Sequence, residues 1–394
     1  MKLLVYSHFF APSIGGVETV VLSLARGLAE LRTSKGEPEF DLTVTTETPA
    51  GDFDDRSLPF RVIRRPALLY LWRLVRTSDI IHVAGPAFAP LSLGLLARKP
   101  VVVEHHGFQT ICPNGQLLIE PAGTPCPGHF MARRHAECLS CNSAQGWFVS
   151  RKLWLLTFVR RFLCACVSAN ITPTEWLSAQ LHLPRIRPVP HGLDTSAAIS
   201  PAVSSVTPPS AAPVIAFQGR LVTTKGVRLL FEAACILRKQ SRPFELLVIG
   251  DGPERASLEQ LARDSQLSSQ VRFAGCLAAS ELEDALAQVS LVVVPSLGGE
   301  VFGLVVAENM LRGLPVIASD LGAFAEVLGP AGLIFRTGDA ADLAAKLVQL
   351  LDDPALPITL GHRGKQRVFD FYSRARMIEE HARVYREVCV AAKC

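Results

Sequence analysis

The sequence lacks any apolar run long enough to cross a lipid bilayer. A spanning helix needs about 20 consecutive apolar residues, and the most apolar segment, LWLLTFV at 153–159, ends at Arg160 and Arg161. The amino terminus also lacks a clear signal peptide, because His8 interrupts its short apolar run and no small-residue cleavage site follows cleanly. We therefore expect a cytoplasmic protein that does not span a membrane.

Charged side chains are scarce, at 19% of the 394 residues, compared with about 25% in an average soluble protein. The formal net charge is only +4, and residues 1–194 hold 20 basic and 15 acidic residues against 20 and 21 in residues 195–394. A nucleic-acid-binding protein concentrates basic residues on one face at a higher pI. We therefore expect no nucleic-acid partner, whereas a mildly basic first half suits an anionic substrate or membrane surface.

A dinucleotide-binding fingerprint is missing as well. That motif requires G-x-G-x-x-G directly after a strand, with an acid about 20 residues further on. Gly250-Asp251-Gly252 lacks the third glycine, and Gly15-Gly16 lies too far beyond the first strand. A Rossmann-type oxidoreductase is therefore a weak alternative. A metal-dependent transferase is also weak, because the D-x-D pattern at 52–54 lies in an early polar loop.

Short apolar runs alternate with helical patterns along the chain, which predicts an α/β fold of parallel strands and crossover helices. The length and the 49% hydrophobic content exceed what one core usually supports, so we expect two domains. Residues 195–213 are rich in Ser and Pro without periodicity, as in a linker. We therefore predict Rossmann-like domains at 1–194 and 214–371, and a final amphipathic helix at 372–394 that packs on one of them.

The stretch PSLGGEVFGLVVAE, residues 295–308, places two acids at a strand-to-helix junction. The continuous apolar run SLVVV before it predicts a buried strand, and a helical pattern begins after Gly303. Glu300 is therefore expected in the loop and Glu308 inside the helix. Because the first turn of a helix leaves backbone N–H groups unpaired, an anionic ligand is expected in front of it.

Other polar groups follow neighbouring strands of the second half. Arg220 and Lys225 flank a turn after AFQ, and two cations beside glycines suit a diphosphate. Asp251 and Gly252 follow the strand ending in VIG. Since ligands of open parallel sheets bind beyond the carboxyl ends of the strands, we expect these groups to share a site with Glu300.

Several short motifs, in this order along the chain, resemble those of the family 4 (group 1) glycosyltransferases. They are GGVE at 15–18, HG at 106–107, PHGLD at 190–194, GRL…KG at 219–226, GDGP at 250–253 and the Glu300/Glu308 pair. The resemblance extends from the first strand to about Phe335.

The resemblance implies the GT-B fold, in which two Rossmann-like domains face each other across a cleft. It implies an enzyme that moves a sugar from a UDP- or GDP-linked donor to an acceptor hydroxyl, with retention at the anomeric carbon. The first domain would bind the acceptor, a glycan or lipid-linked glycan of cell-surface polysaccharide or glycolipid assembly, and the second domain the donor. A protein that binds nucleotide sugars without transferring them is the alternative.

Individual roles also follow from the resemblance. Arg220 and Lys225 would hold the diphosphate, so no cofactor or metal is required for catalysis. Glu300 would contact the donor sugar, and Glu308 the ribose hydroxyls. The catalytic residues are expected to be Glu300, His106, Arg220 and Lys225, with His106 preferred to the adjacent His105. The expected donor-binding residues are Gly16, Arg220, Lys225, Asp251, Gly252, Phe302, Gly303, Leu304 and Glu308.

Four of the ten cysteines lie in a segment at 108–145 that would be an insertion in the first domain. They are Cys112, Cys126, Cys138 and Cys141. The last two form a C-x-x-C, a spacing that suits a structural zinc ion, and some family members carry a similar insertion. Because Cys112 and Cys126 stand singly, two alternatives stay open: a structural zinc site, and thiols that bind no metal.

Two segments, 61–76 and 151–161, interleave arginines with Leu, Trp and Phe. This pattern can dock on an anionic membrane, which would place the protein peripherally on the inner face of a membrane. Ordinary crossover helices with solvated arginines are the other interpretation.

Overall fold

A computed structural model describes residues 1–13, 15–120, 122–143, 146–195 and 212–392. The chain divides into two compact units. Unit 1 comprises Met1–Gly115, Gly128–Asp194 and Tyr372–Cys394, and unit 2 comprises Gln116–Pro127 and Thr195–Phe371. Most of the predicted linker, residues 196–211, lies outside the described residues.

Unit 1 contains a seven-stranded parallel sheet. Its strands, numbered along the whole chain, are β1 (Lys2–Ser7), β2 (Asp41–Thr46), β3 (Arg61–Arg64), β4 (Ile80–Ala84), β5 (Val101–Glu104), β8 (Ala169–Thr172) and β9 (Ile186–Pro188). Their order is β3-β2-β1-β4-β5-β8-β9. The central strands are buried along their whole length, as their apolar β-branched runs predict.

The described helices of unit 1 connect these strands. They are α1 (Gly16–Glu30), α2 (Leu68–Thr77), α3 (Phe88–Leu96), α4 (His135–Cys141), α5 (Trp147–Cys166), α6 (Glu175–Leu181) and α14 (Arg374–Ala391). Helix α14 begins after Ser373, whose hydroxyl caps it, and packs against α1. The carboxy-terminal helix is therefore part of unit 1.

Unit 2 contains a six-stranded parallel sheet and a small hairpin. The sheet strands are β10 (Val214–Gln218), β11 (Glu245–Ile249), β12 (Val271–Gly275), β13 (Leu291–Val294), β14 (Val316–Ser319) and β15 (Leu333–Phe335). Their order is β12-β11-β10-β13-β14-β15. The antiparallel hairpin consists of β6 (Leu118–Ile119) and β7 (Thr124–Pro125).

The helices of unit 2 cover its sheet. They are α7 (Val227–Lys239), α8 (Arg255–Asp264), α9 (Ala279–Leu286), α10 (Leu304–Leu311), α11 (Gly322–Leu328), α12 (Ala340–Asp352) and α13 (Ala355–Phe371). Apolar side chains of α7 and α12 join those of the central strands in one buried cluster. The prediction of an α/β fold with two parallel sheets is confirmed.

The strand order of each sheet reverses at one place. In unit 1 this switch point lies between β1 and β4, and in unit 2 it lies between β10 and β13. The loops that follow the two strands on either side of a switch point run to opposite faces of the sheet. They leave a crevice between them, and open parallel sheets bind ligands there. The residues after β10 and β13 are therefore the first place to look for a site.

None of the helices in the described ranges is both long enough and apolar enough to span a membrane.

Candidate active site

The loops at the switch point of unit 2 bring a cation and an acid together. Lys225 ends a 3-10 turn, Thr223–Lys225, between β10 and α7, and Glu300 lies between β13 and α10. Lys225 Nζ donates a hydrogen bond to Glu300 Oε1, and Ser296 Oγ donates to the same oxygen at 3.1 Å. The two side chains are 29% and 13% exposed, respectively, so a ligand can reach the pair without unfolding the loops.

Two glycines in left-handed conformations allow these loops to pack closely. Gly226 has φ +63°, and a Cβ there would lie 2.0 Å from the carbonyl oxygen of Pro295. Gly303 has φ +94°, and a Cβ there would lie 2.5 Å from the ring of Phe324. Any other residue would be both strained and obstructed at these positions. The glycines therefore fix how α7 and α10 begin beside the Lys225–Glu300 pair.

The loop after β11 is attached to the loop after β10. Leu221 N donates to Asp251 O at 2.9 Å, and a Cβ on Gly252 would lie 2.4 Å from Leu221 O. The Asp251 carboxylate accepts from Gly252 N at 2.7 Å and from Arg255 Nη1 at 3.0 Å. These two interactions lower the pKa of Asp251. Asp251 thus shapes the loop, and its contact with a donor stays a prediction.

The remaining predicted residues of unit 2 lie on the same loops and on α10. Arg220 is exposed just after β10, where it can meet an anion. Phe302 is buried, and Leu304 is the first residue of α10. Glu308 lies within α10, and burial raises its pKa while nearby Arg312 partly opposes that shift. Unit 2 therefore gathers at one edge of its sheet all the donor-site residues predicted there.

The predicted site residues of unit 1 have other surroundings, at the start of α1 and directly after β5. Gly16 is the first residue of α1. His105 is fully buried with Nε2 2.9 Å from Asn170 Oδ1, and burial lowers its pKa to about 4. His106 stacks on His191 with ring centroids 5.3 Å apart. His105 is therefore a hydrogen-bonded core residue, while the catalytic role of His106 stays a prediction.

An unexpected buried acid lies beside His106. Glu104 is the last residue of β5, and it is fully buried with its carboxylate facing four imidazoles. The nitrogen–oxygen distances are 3.2 Å for His82 Nε2, 3.4 Å for His106 Nε2, 3.5 Å for His191 Nδ1 and 3.5 Å for His381 Nε2. Burial acts to raise the pKa of Glu104, but His106 and His381 hold that pKa well below its usual range. The imidazoles therefore favour the ionised form of this carboxyl group.

The sequence contained part of a signal for this cluster. His106 and His191 come at the ends of two predicted strands, in the runs VVVEHH and RPVPH. Parallel strands bring such positions to one edge of the sheet, so the approach of His106 and His191 to Glu104 was within reach of the sequence. The contributions of His82, which lies inside β4, and of His381 on α14 were not.

The four predicted zinc-binding cysteines are distributed over both units. Cys112, Cys138 and Cys141 belong to unit 1, whereas Cys126 belongs to unit 2. Asn114 connects two of them, because Cys112 Sγ donates to its Oδ1 at 2.9 Å and its Nδ2 donates to Cys141 Sγ at 3.6 Å. Zinc binding by these cysteines stays a prediction.

The segment Gln116–Pro127 is a second feature that the sequence did not reveal. It falls within the predicted insertion of the first domain, yet it groups with unit 2. Gly299 N donates to Gln116 O at 2.6 Å, and a Cβ on Gly298 would lie 2.8 Å from that oxygen. This segment therefore contacts the backbone directly before Glu300 through Gln116.

Comparison with known proteins identifies the family. Residues 14–197 match the family described as Glycosyltransferase Family 4, and residues 212–353 match Glycosyl transferases group 1. The chain is 32% identical to MMP alpha-(1->4)-mannosyltransferase of Mycolicibacterium hassiacum, over 98% of either protein. The chain belongs to the family 4 (group 1) glycosyltransferases. The resemblance found in the motifs is thus confirmed, and the protein is an enzyme of glycosyl transfer.

Further relatives agree with this family. GDP-mannose-dependent monoacylated alpha-(1-6)-phosphatidylinositol monomannoside mannosyltransferase of Corynebacterium glutamicum is 25% identical, with 93% of each chain covered. The match to 2-deoxystreptamine glucosyltransferase of Streptomyces kanamyceticus, at 33% identity, covers only 41% of this chain and 42% of that protein.

The fold also matches a solved structure. The complex of Anabaena Alr3699/HepE with UDP-glucose superposes with a TM-score of 0.71 at 17% identity, covering 98% of this chain and 100% of that one. The predicted GT-B fold class is therefore confirmed for this glycosyltransferase.

Proposed function

We propose that this glycosyltransferase binds a UDP- or GDP-linked sugar on unit 2 and transfers the sugar, with retention at the anomeric carbon, to an acceptor hydroxyl. The observation that carries the proposal is the Lys225–Glu300 pair at the switch point between β10 and β13. A cation and a hydroxyl-binding acid side by side are what the diphosphate and the sugar of such a donor require.

The diphosphate is the leaving group, and its negative charge grows as the bond to the sugar breaks. Lys225 and the exposed Arg220 supply fixed positive charge there, and the amino terminus of α10 supplies backbone N–H groups. These groups do the work that a catalytic metal does in other transferases, so we propose that transfer requires no metal ion.

The two acids of the 295–308 stretch would bind hydroxyl groups. Glu300, held by Ser296 and Lys225, would contact the donor sugar next to the diphosphate. Glu308 lies further along α10, where a carboxylate can accept hydrogen bonds from both ribose hydroxyls. Ionised Glu308 is disfavoured by its burial, and two ribose hydrogen bonds would offset that cost.

The relatives support both donor nucleotides. The name of the Corynebacterium protein states a GDP-mannose donor, and the Anabaena protein was solved with UDP-glucose. We propose a glycan or lipid-linked acceptor in cell-surface polysaccharide or glycolipid assembly, since the Corynebacterium enzyme acts on a phosphatidylinositol mannoside by its name.

A screen of nucleotide sugars tests the donor proposal. Purified protein would be incubated with each of a panel of UDP- and GDP-sugars and a membrane lipid extract, in EDTA, and released nucleotide and glycosylated lipid would be measured. We expect turnover with either UDP-sugars or GDP-sugars but not with both. We also expect loss of turnover in Arg220→Ala, and an α-linked product from an α-linked donor. Release of nucleotide only in the presence of added Mg²⁺ or Mn²⁺, or an inverted product, would contradict the proposal.

We further propose that unit 1 docks on an anionic membrane through α2, α3 and α5. These helices pack on one another, and none of the three contains an Asp or Glu. They expose large apolar side chains that include Leu69 at 78%, Phe148 at 80% and Phe162 at 69%.

Basic side chains accompany these apolar groups. Arg151 lies over the ring of Trp147 at 4.1 Å, and Arg160 lies over that of Phe88 at 4.8 Å. Apolar side chains flanked by cations suit the interface of an anionic bilayer. Such docking at the inner face of a membrane would bring a lipid-linked acceptor to the enzyme.

Vesicle flotation tests the membrane proposal. The double variant Phe148→Ser/Phe162→Ser should lose at least about tenfold in binding to phosphatidylglycerol vesicles, since each buried aromatic contributes about 1.5–3 kcal/mol. Phe369→Ser is the control, because Phe369 is 45% exposed on α13 of unit 2. Equal binding of all three proteins, or no preference for anionic over phosphatidylcholine vesicles, would refute the docking surface.

A further inference from the structure

We propose that unit 1 binds a divalent metal ion, zinc by the chemistry of the ligands, between Glu104, His106 and His191. This site uses none of the cysteines. All three residues follow or end strands of the same sheet, β5 and β9, and all belong to unit 1.

The ligand atoms already have the spacing of a metal site. One ligand atom from each of the three residues lies within 4.8 Å of those of the other two. His106 Nε2 is 3.4 Å from Glu104 Oε2, and His191 Nδ1 is 3.5 Å from Glu104 Oε1. In a tetrahedral site with bonds of about 2.0–2.1 Å, neighbouring ligand atoms stand roughly 3.3–3.4 Å apart. The two separations, one to each oxygen of Glu104, are close to that spacing.

The polar atoms at the centre of the cluster lie out of contact with water. Both oxygens of Glu104 and Nε2 of His106 are buried, and no well-aligned hydrogen bond to them is found among the described residues. Burying a carboxylate costs several kcal/mol unless hydrogen bonds or a cation accompany it. A divalent ion bound by one carboxylate and imidazoles would supply that charge.

His381 and His82 also face the carboxylate. His381 Nδ1 lies 2.8 Å from the carbonyl oxygen of Met377, which can only accept, so Nδ1 carries a hydrogen. The other ring nitrogen, Nε2, faces Glu104 Oε2 at 3.5 Å. His82 Nδ1 lies 2.9 Å from Tyr385 Oη, and its Nε2 is 3.2 Å from the same carboxylate oxygen. Polar groups that hold a ligating carboxylate in place are typical of metal centres.

Two imidazole nitrogens and a carboxylate oxygen favour zinc over magnesium or calcium, which prefer oxygen alone. Three protein ligands leave a fourth position for a water molecule, and the burial of Glu104 and His191 suits an ion that stabilises these loops. It would join the loops after β5 and β9 beneath α14, and it is compatible with a transfer reaction that needs no catalytic metal.

Elemental analysis of the purified full chain tests the site. We expect about one equivalent of zinc in the native protein and in Cys138→Ser/Cys141→Ser, and less than about one tenth of that in Glu104→Gln and His191→Gln. His182→Ala is the control, because His182 is exposed at the end of α6. A second readout uses the native chain alone: the Co²⁺-loaded protein should show d–d absorption without the near-ultraviolet thiolate-to-cobalt bands of a cysteine site.

Several results would overturn the proposal. One is native protein without bound metal after purification in zinc-supplemented, chelator-free buffer. Others are zinc that disappears in the cysteine variant but stays in Glu104→Gln, and a thiolate charge-transfer band in the Co²⁺ form. The cobalt spectrum decides the matter even where Glu104→Gln fails to fold.

Discussion

Replacing Glu300 with glutamine should separate donor binding from sugar transfer. The Glu300 carboxylate accepts a hydrogen bond from the Lys225 ammonium, which a diphosphate would also need. Glu300→Gln keeps the size and the hydrogen bond from Ser296 but removes the charge that competes for Lys225. The variant should therefore bind a nucleoside diphosphate at least as well as the native enzyme, while losing the contact that orients the donor sugar.

The size of each effect follows from the partial exposure of the Lys225–Glu300 pair and from the proposed contact of Glu300 with the donor sugar. A partly exposed ion pair contributes about 0–1 kcal/mol, so freeing Lys225 should tighten nucleoside diphosphate binding by at most about fivefold. Loss of a preorganised interaction with the reacting group typically costs about 10²–10³ in kcat. We therefore expect an unchanged or slightly lower Kd for the nucleotide, and a kcat at least about a hundredfold lower.

Calorimetric titration with UDP and GDP, and initial rates with the preferred nucleotide sugar, would measure both quantities. Glu254→Gln is a matched control, because this acid accepts a hydrogen bond from Thr223 in the same loop but does not contact Lys225. Nucleotide binding weakened more than about tenfold in Glu300→Gln, or turnover close to that of the control, would refute the proposed division of roles.

Other consequences concern α10 and its neighbours. Glu308→Gln should weaken nucleotide binding about tenfold in calorimetry, since a charged acceptor is lost. Burial raises the pKa of Glu308 above its value in the unfolded chain. Glu308 therefore contributes to the free energy of unfolding below the unfolded-state pKa, where it is protonated, and this contribution is lost as the pH rises through the folded-state pKa. The glutamine variant should therefore match or exceed the native Tm at pH 7 and lose that advantage at about pH 4; a lower Tm at pH 7 would contradict this. Gly226→Ala should lower the Tm and abolish turnover, since its Cβ would meet Pro295 O. The control Gly338→Ala has a similar φ of +82° but open space around it, so it should lose only about 1 kcal/mol of stability. Equal losses of stability in the two variants would exclude the contact with Pro295 as the cause.

Much of the fold follows from the sequence because burial on both faces leaves a strong local pattern. The run SLVVV forms β13, and α10 begins at Leu304 directly after Gly303. The boundary near Asp194 coincides with a change to Ser- and Pro-rich composition. In each case the pattern of neighbouring residues carries the information.

The site was only partly predictable, because contacts between distant loops leave no local pattern. The sequence indicated Lys225 and Glu300 as site residues but not their mutual ion pair, which depends on a glycine at 226 that lets one loop reach another. The hydrogen bond between Gly299 and Gln116 could not be predicted either, because the sequence of a loop does not indicate which sheet the loop will pack against.

The Glu104 cluster shows the same limit more strongly. Its five members span positions 82 to 381, and a single acid at the end of a strand resembles an ordinary solvated charge. Only the parallel sheet and the return of α14 bring His381 to the carboxylate. The C-x-x-C spacing at Cys138 and Cys141 was the more visible metal signal because it is local.

The most direct test of the account is a calorimetric titration of the native enzyme and of Lys225→Ala with UDP and GDP, in EDTA. We expect one nucleotide to bind the native protein without metal, and Lys225→Ala to bind it at least about tenfold more weakly, because a charge-assisted contact to phosphate contributes about 1.5–3 kcal/mol. Equal affinity in the two proteins, or native binding of neither nucleotide unless Mg²⁺ or Mn²⁺ is added, would contradict the assignment of the diphosphate to this edge of unit 2.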